Sequence, residues 1–191
     1  MNTRNSYIGP APYATGADFC RIFENNMDRL YLLALLLTGD HAVAESCFVT
    51  GLQDARGGNR VFKDWADAWA RRTVILNAIR AIRPAQTSAP NVSPDVLAES
   101  VDTPLLGALF ALPTLDRFVY VVCVLEGYSD HQCALLIGST RKAVAEARIR
   151  AVNIVGEPAM VQQQLRALET KPELRPERNL VAPAVPLAAI A

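Results

Sequence analysis

The stretch LEGYSDHQCALLIGSTRKAVAEARIRAV, Leu125 to Val152, constrains the fold more than any other part of the chain. Two short helices can cross tightly and steeply only where the first offers a small side chain, here Ala134. The turn between them favours a residue that tolerates positive φ, and Gly138 stands four positions later. The second helix must return one apolar residue into the angle. Val144 lies six positions on, with Ala147 below it. Ser129-Asp130-His131-Gln132 opens the first helix as a capping box, in which Ser129 and Gln132 satisfy orphan amides reciprocally. The pattern predicts a helix-turn-helix. An ordinary helical hairpin would share the glycine but has no need of the remaining spacing.

With Val144 and Ala147 turned inward, Thr140, Arg141, Lys142, Ala145, Glu146 and Ile149 face outward. Arg141 and Lys142 fall on the first turn, where a recognition helix meets base edges and phosphates. Arg148 and Arg150 add positive charge further along. Glu146 is the one acid against these four bases, whereas a merely solvated face mixes signs more evenly.

Composition limits what such a helix can rely on. Lys and Arg balance Asp and Glu at 19 each, so attraction to nucleic acid has to come from local basic faces. The four cysteines, Cys20, Cys47, Cys123 and Cys133, lack CxxC spacing and read as free thiols of a reducing compartment. The longest apolar run, Leu30 to Leu37, is too short to span a bilayer. No charged-then-apolar leader is visible, and a cytoplasmic location is expected. There is no phosphate-cradling glycine loop, no HExxH and no GxSxG. His41 and His131 are explained by positions beside helix caps. No catalytic residue, metal or cofactor is expected.

The expected fold is all-α, with two small helical domains. Residues 1–17 read as a flexible arm, 18–83 as a first helical domain, 84–104 as a proline-rich linker, 105–156 as the helix-turn-helix domain, and 157–191 as a polar helix with a disordered tail. Within the first domain, one helix is expected from Asp18 to Leu37 and a second, capped by Asp40, to about Ala55. A third should run from Phe62 to Ile82, with Phe62, Trp65, Trp69, Leu76 and Ile79 as its apolar stripe. From Arg60 to Arg83 there are six bases against Asp64 and Asp67, a second local basic surface. In the second domain a helix from Thr114 to Glu126 should bury Leu115, Phe118, Val119, Val122 and Leu125.

This layout resembles the small extracytoplasmic-function sigma factors of the sigma-70 family. Leu36-Leu37-Thr38-Gly39-Asp40 followed by Ala44-Glu45 is similar to that family's "tGD…AED" run, and Trp65 through Arg83 to its "WL…iarN…d…R" helix. Ala111-Leu112-Pro113 with Arg117, then Leu125-Glu126-Gly127-Tyr128-Ser129, resemble "LP…R…eG.s"; Cys133 to Ser139 resembles "iA..lg.s". The resemblance implies a sigma region 2-like and a region 4-like domain that bind core RNA polymerase and promoter DNA. It would place Glu45, Phe48 and Leu52 on the polymerase clamp. Trp65, Trp69, Arg71, Arg72 and Arg80 would serve the melted minus-ten element; Thr140, Arg141, Lys142, Ala145, Glu146 and Arg148 would serve the minus-thirty-five element. An anti-sigma factor covering both basic faces would be a further partner.

The sequence also departs from the family. Ser46 and Val49 stand where its clamp-binding Asp and Gln would, and Arg72 replaces the Asn of "arN". Ala143 to Ala147 replace "TVKSR". Two other readings therefore stay open: a stand-alone helix-turn-helix regulator, and a sigma-like protein-interaction module that no longer reads DNA.

Overall fold

The computed structural model describes residues 12–169 apart from 59 and 88, with side chains through 156. Most of the expected arm and the expected disordered tail from Lys171 lie outside the described residues. All named elements are helical, so the fold is all-α. They are α1 (Gly16–Asn25), α2 (Met27–Thr38), α3 (His41–Gly57), α4 (Ala66–Ile82), α5 (Pro94–Glu99), α6 (Pro104–Ala111), α7 (Thr114–Val119), α8 (Asp130–Ile137) and α9 (Arg141–Glu169).

The expected single helix from Asp18 to Leu37 is two helices, because Asn26 leaves helical geometry at φ −116° and ψ 23°. Its backbone N–H and its side-chain amide both donate to the Ile22 carbonyl, at 3.0 and 2.9 Å, closing α1 from within. Part of the expected arm is ordered too. Thr15 caps α1 in a reciprocal box with Asp18, and Pro12 to Ala14 pair with Val61 to Lys63 through bonds of 2.7 and 3.0 Å. α2 ends at Gly39, which sits at φ 70°, and Asp40 caps α3 by accepting from the Val43 N–H at 2.9 Å.

α4 meets the core with a different face from the expected aromatic stripe. Ala66, Ala70, Val74 and Ala78 are buried, whereas Phe62 and Trp65 are exposed and Trp69, Leu76 and Ile79 half-buried. Small side chains let α4 approach α3 closely; a Cβ added at Gly51 would lie 3.2 Å from Val74 Cγ2. A 3₁₀ turn at Lys63–Trp65 precedes the helix and swings the first aromatic residues outward.

The proline-rich segment between the halves is packed. It carries the short helix α5, opened by Pro94 at its first turn, and Val96 is buried. The Ser93 N–H donates to the Gly39 carbonyl at 2.8 Å, and Thr114 Oγ1 to the Ala89 carbonyl at 2.6 Å. A Cβ at Gly39 would stand 2.7 Å from the Asn91 carbonyl oxygen in a left-handed backbone. Gly39→Ala should therefore lose stability beyond the about 1 kcal/mol of an open left-handed glycine, read as a lowered Tm.

In the second half the expected helix from Thr114 changes pitch. α7 widens into a π turn at Tyr120–Leu125, where the Glu126 N–H bonds back to the Val121 carbonyl at 3.0 Å. The wider turn rotates later positions, so Leu125 is 51% exposed while Phe118, Val119, Val121 and Val122 are buried. α9 also continues through Gly156-Glu157-Pro158, across the boundary expected between the helix-turn-helix domain and the polar helix. The buried side chains of both halves join in one continuous apolar cluster.

Candidate nucleic-acid interface

The helix-turn-helix forms through the local rules that predict it. Ser129 accepts from the Gln132 N–H while Gln132 Oε1 accepts from the Ser129 N–H, at 3.2 and 2.9 Å. Gly138 takes φ 65°, and Ala134, Val144 and Ala147 are buried at the crossing. Thr140 caps α9 by accepting from the Ala143 N–H at 3.2 Å.

On α9, Thr140, Arg141, Lys142, Glu146 and Ile149 are exposed and Ala145 is half-buried. Lys142 lies 3.9 Å from Glu146, a solvent-exposed pair that contributes little. The later cations are committed elsewhere. Arg148 donates twice to Asp130, at 2.8 and 3.1 Å, and Arg150 donates twice to the buried Asp116, at 2.9 and 2.7 Å. The Arg148 fork holds the Asp130 carboxyl below its ordinary range. These pairs fasten α9 to α8 and α7. Arg148 thus acts as a brace for the motif, and the outward positive charge concentrates at Arg141 and Lys142.

A second surface lies where the chain enters α4. Tyr13 stacks on Phe62 with ring centroids 4.8 Å apart, and Phe62 meets Trp65 edge-on at 5.8 Å. The Arg60 guanidinium sits 5.8 Å from the Tyr13 ring centroid, and Lys63 is exposed beside them. Trp65 is 66% exposed and Phe62 45%, so neither is spent on the core. Tyr13 was missed in the sequence because it falls in a polar stretch; its pairing with Phe62 across the fold was the absent signal.

The remaining candidates divide differently. Trp69 is half-buried, and its indole N–H is enclosed without a hydrogen-bond partner. Arg71 reaches Glu126 of the second half at 3.6 Å. Arg80 donates to Asp54 at 2.9 Å; with the Asn77 amide it keeps that carboxyl below its usual range. Arg72 is half-buried on the same helix. On α3, Glu45 is exposed, and beside it are Ser46 and Val49. Phe48 packs edge-on against Phe23 at 5.2 Å, and Leu52 is half-buried against the core, so both serve the fold as well as its surface.

All four cysteines are free. No group of His, Cys, Asp and Glu among the described residues could hold a metal ion. No described helix is long and apolar enough to cross a membrane. No protein-family model matches the chain, and no curated protein is significantly similar to it.

Proposed function

We propose that this chain is a sigma-like transcription initiation factor acting in the cytoplasm, binding core RNA polymerase and directing it to promoter DNA. The observation that carries the reading is a pair of chemically different surfaces on one chain. One is a helix-turn-helix with Arg141 and Lys142 at the first turn of its second helix. The other is the cluster of exposed Phe62 and Trp65 with half-buried Tyr13, and Arg60 and Lys63 beside it.

A helix entering the major groove suits duplex DNA. Exposed aromatic faces beside cations suit unstacked bases of a single strand, each stacked base being worth about 1–3 kcal/mol. A factor that both locates and opens a promoter needs both, while a reader of duplex alone has no use for the second. Neither surface brings a catalytic group, so chemistry would belong to the polymerase. An anti-sigma partner would act by covering these same faces.

A second reading has a specific observation in its favour. Arg148 and Arg150 are tied to carboxylates and Glu146 faces outward, which suits a protein-interaction module of sigma-like fold. Run-off transcription with core polymerase and sheared genomic DNA separates the two. The initiation factor yields discrete start sites that depend on the added chain; transcripts no different from core alone would refute it. Trp65→Ala should reduce these transcripts at least tenfold and weaken binding to single-stranded DNA, while leaving Tm within about 1–2 °C because its ring is exposed.

A further inference from the structure

Two free thiols lie in contact beside α9. Cys123 is on the π turn, and Cys133 is on the first turn of α8. Between them the Tyr128 N–H returns to the Val122 carbonyl at 3.1 Å, turning the chain so that α8 starts against the π turn. The two side chains hydrogen-bond to each other. Their surroundings differ. Cys133 is fully buried next to Ala134, whereas Cys123 is half-buried and opens onto a surface hollow of about 600 Å³. Tyr128, His131, Arg141 and Arg148 line the same hollow. The Cys133 S–H donates to the Cys123 sulfur and holds Cys123 below the ordinary thiol range, against its partial burial and the nearby Asp130 carboxylate; Arg148 assists. That same bond, together with burial, pushes Cys133 up. One sulfur is therefore the nucleophile and the other keeps its proton. Cys47, by contrast, is pushed up by burial alone.

We infer that Cys123 and Cys133 are a redox-active dithiol, in which a hydroperoxide entering the hollow oxidises Cys123 and Cys133 then closes a disulfide beside α9. With hydrogen peroxide, the Cys123 thiolate attacks one oxygen and the O–O bond breaks. The other oxygen leaves as hydroxide and takes up a proton, and Cys123 becomes a sulfenic acid. The Cys133 sulfur attacks the sulfenic sulfur, its proton goes to the departing hydroxide, and water leaves. Two thiols and one hydrogen peroxide thus give one disulfide and two waters. The sulfurs give up two electrons, and the peroxide oxygens take them. In a reducing compartment such a pair rests as thiols, and a disulfide formed there is transient and redox-sensing.

Bringing the sulfurs from contact to bonding distance draws the first turn of α8 toward the π turn. Asp130 is on that turn, and its carboxylate holds Arg148 of α9 at 2.8 and 3.1 Å. Moving Asp130 shifts this brace, and with it the helix that carries Arg141 and Lys142. The oxidised chain should therefore bind duplex DNA about fivefold more weakly, a modest coupling between two sites. This consequence rests on the proposed function; the thiol chemistry rests on the geometry alone.

The test treats the folded full chain with hydrogen peroxide, alkylates the remaining thiols after unfolding, and maps them by mass spectrometry. Trypsin cuts after Arg117 and Arg141, so both cysteines fall in the one peptide from Phe118 to Arg141. That peptide should lose two hydrogens and both alkylation sites while Cys20 and Cys47 stay alkylated, and dithiothreitol should reverse the change. Cys133→Ser should leave a sulfenic acid at Cys123 that dimedone traps; Cys133→Ala serves if circular dichroism shows the serine chain unfolded. Cys123→Ser should leave Cys133 reduced. A peptide oxidised no faster than Cys20, or one oxidised without forming the disulfide, overturns the dithiol. Fluorescence anisotropy with a labelled mixed-sequence duplex reads affinity on the same samples. A fivefold loss that dithiothreitol reverses supports control of DNA binding. A disulfide with unchanged affinity keeps the dithiol and overturns that control. A reduced chain that binds no duplex overturns the DNA-binding reading separately, and the peptide map still decides the dithiol.

Discussion

Replacing Arg141 and Lys142 together with alanine should weaken binding to duplex DNA about 30-fold or more while leaving Tm unchanged. Both side chains are exposed on the first turn of α9 and neither supports the core. One good base contact is worth about 1–3 kcal/mol, so losing it with a phosphate contact is a loss of about 2 kcal/mol or more. Because Arg148 and Arg150 are held by Asp130 and Asp116, few cations remain to displace counterions. The slope of log K against log salt should be near −2, where a protein touching many phosphates approaches −10. Fluorescence anisotropy over a salt series reads both quantities. Equal affinity in the double variant would favour the protein-interaction reading.

Phe118→Ala should cost about 3–5 kcal/mol, the largest stability loss among the substitutions considered, since Phe118 is fully buried where α7 meets the shared core. Leu125→Ala should cost under about 1 kcal/mol, because the π turn delivers Leu125 to the surface. Ordinary helical periodicity from Thr114 buries both residues and predicts comparable losses. Urea unfolding followed by far-UV circular dichroism distinguishes these cases. A Leu125→Ala loss as large as that of Phe118→Ala would mean that the helix keeps its normal pitch.

These contrasts show which parts of the molecule were legible in its sequence. The capping box at Ser129, the left-handed Gly138 and the inward Val144 and Ala147 follow from interactions within a few residues, and all are present. The α4 face was not legible because Phe62, Trp65 and Trp69 dominate any apolar pattern. Ala66, Ala70 and Ala78 carry little hydropathy yet decide how closely α3 can pack. The α1–α2 break carries no glycine or proline, and Asn26 closes α1 only through its own bonds to Ile22.

Charges were least legible. Arg148 and Asp130 are 18 residues apart, and Arg150 and Asp116 are 34 apart, so counting bases along α9 could not reveal which were already paired. Arg117 shows the same difficulty. A lone arginine in a helix reads as surface, and only the approach of α7 to the end of α2, 79 residues away at the Thr38 carbonyl, makes it a buried one. The sequence located the helix-turn-helix, but its apolar periodicity put the exposed Trp65 on the buried stripe of α4. Nor does it show Tyr13 beside Phe62, since an antiparallel bridge between distant segments brings the two together.

Recruitment of polymerase is what the proposed function requires first, and the decisive measurement is stoichiometric co-purification of the tagged full chain with core RNA polymerase. Capture near one to one is expected at low salt, and it should be retained by the Arg141→Ala/Lys142→Ala chain, whose defect lies in DNA binding alone. A folded chain, free of bound inhibitor, that captures no core polymerase would contradict the proposed function.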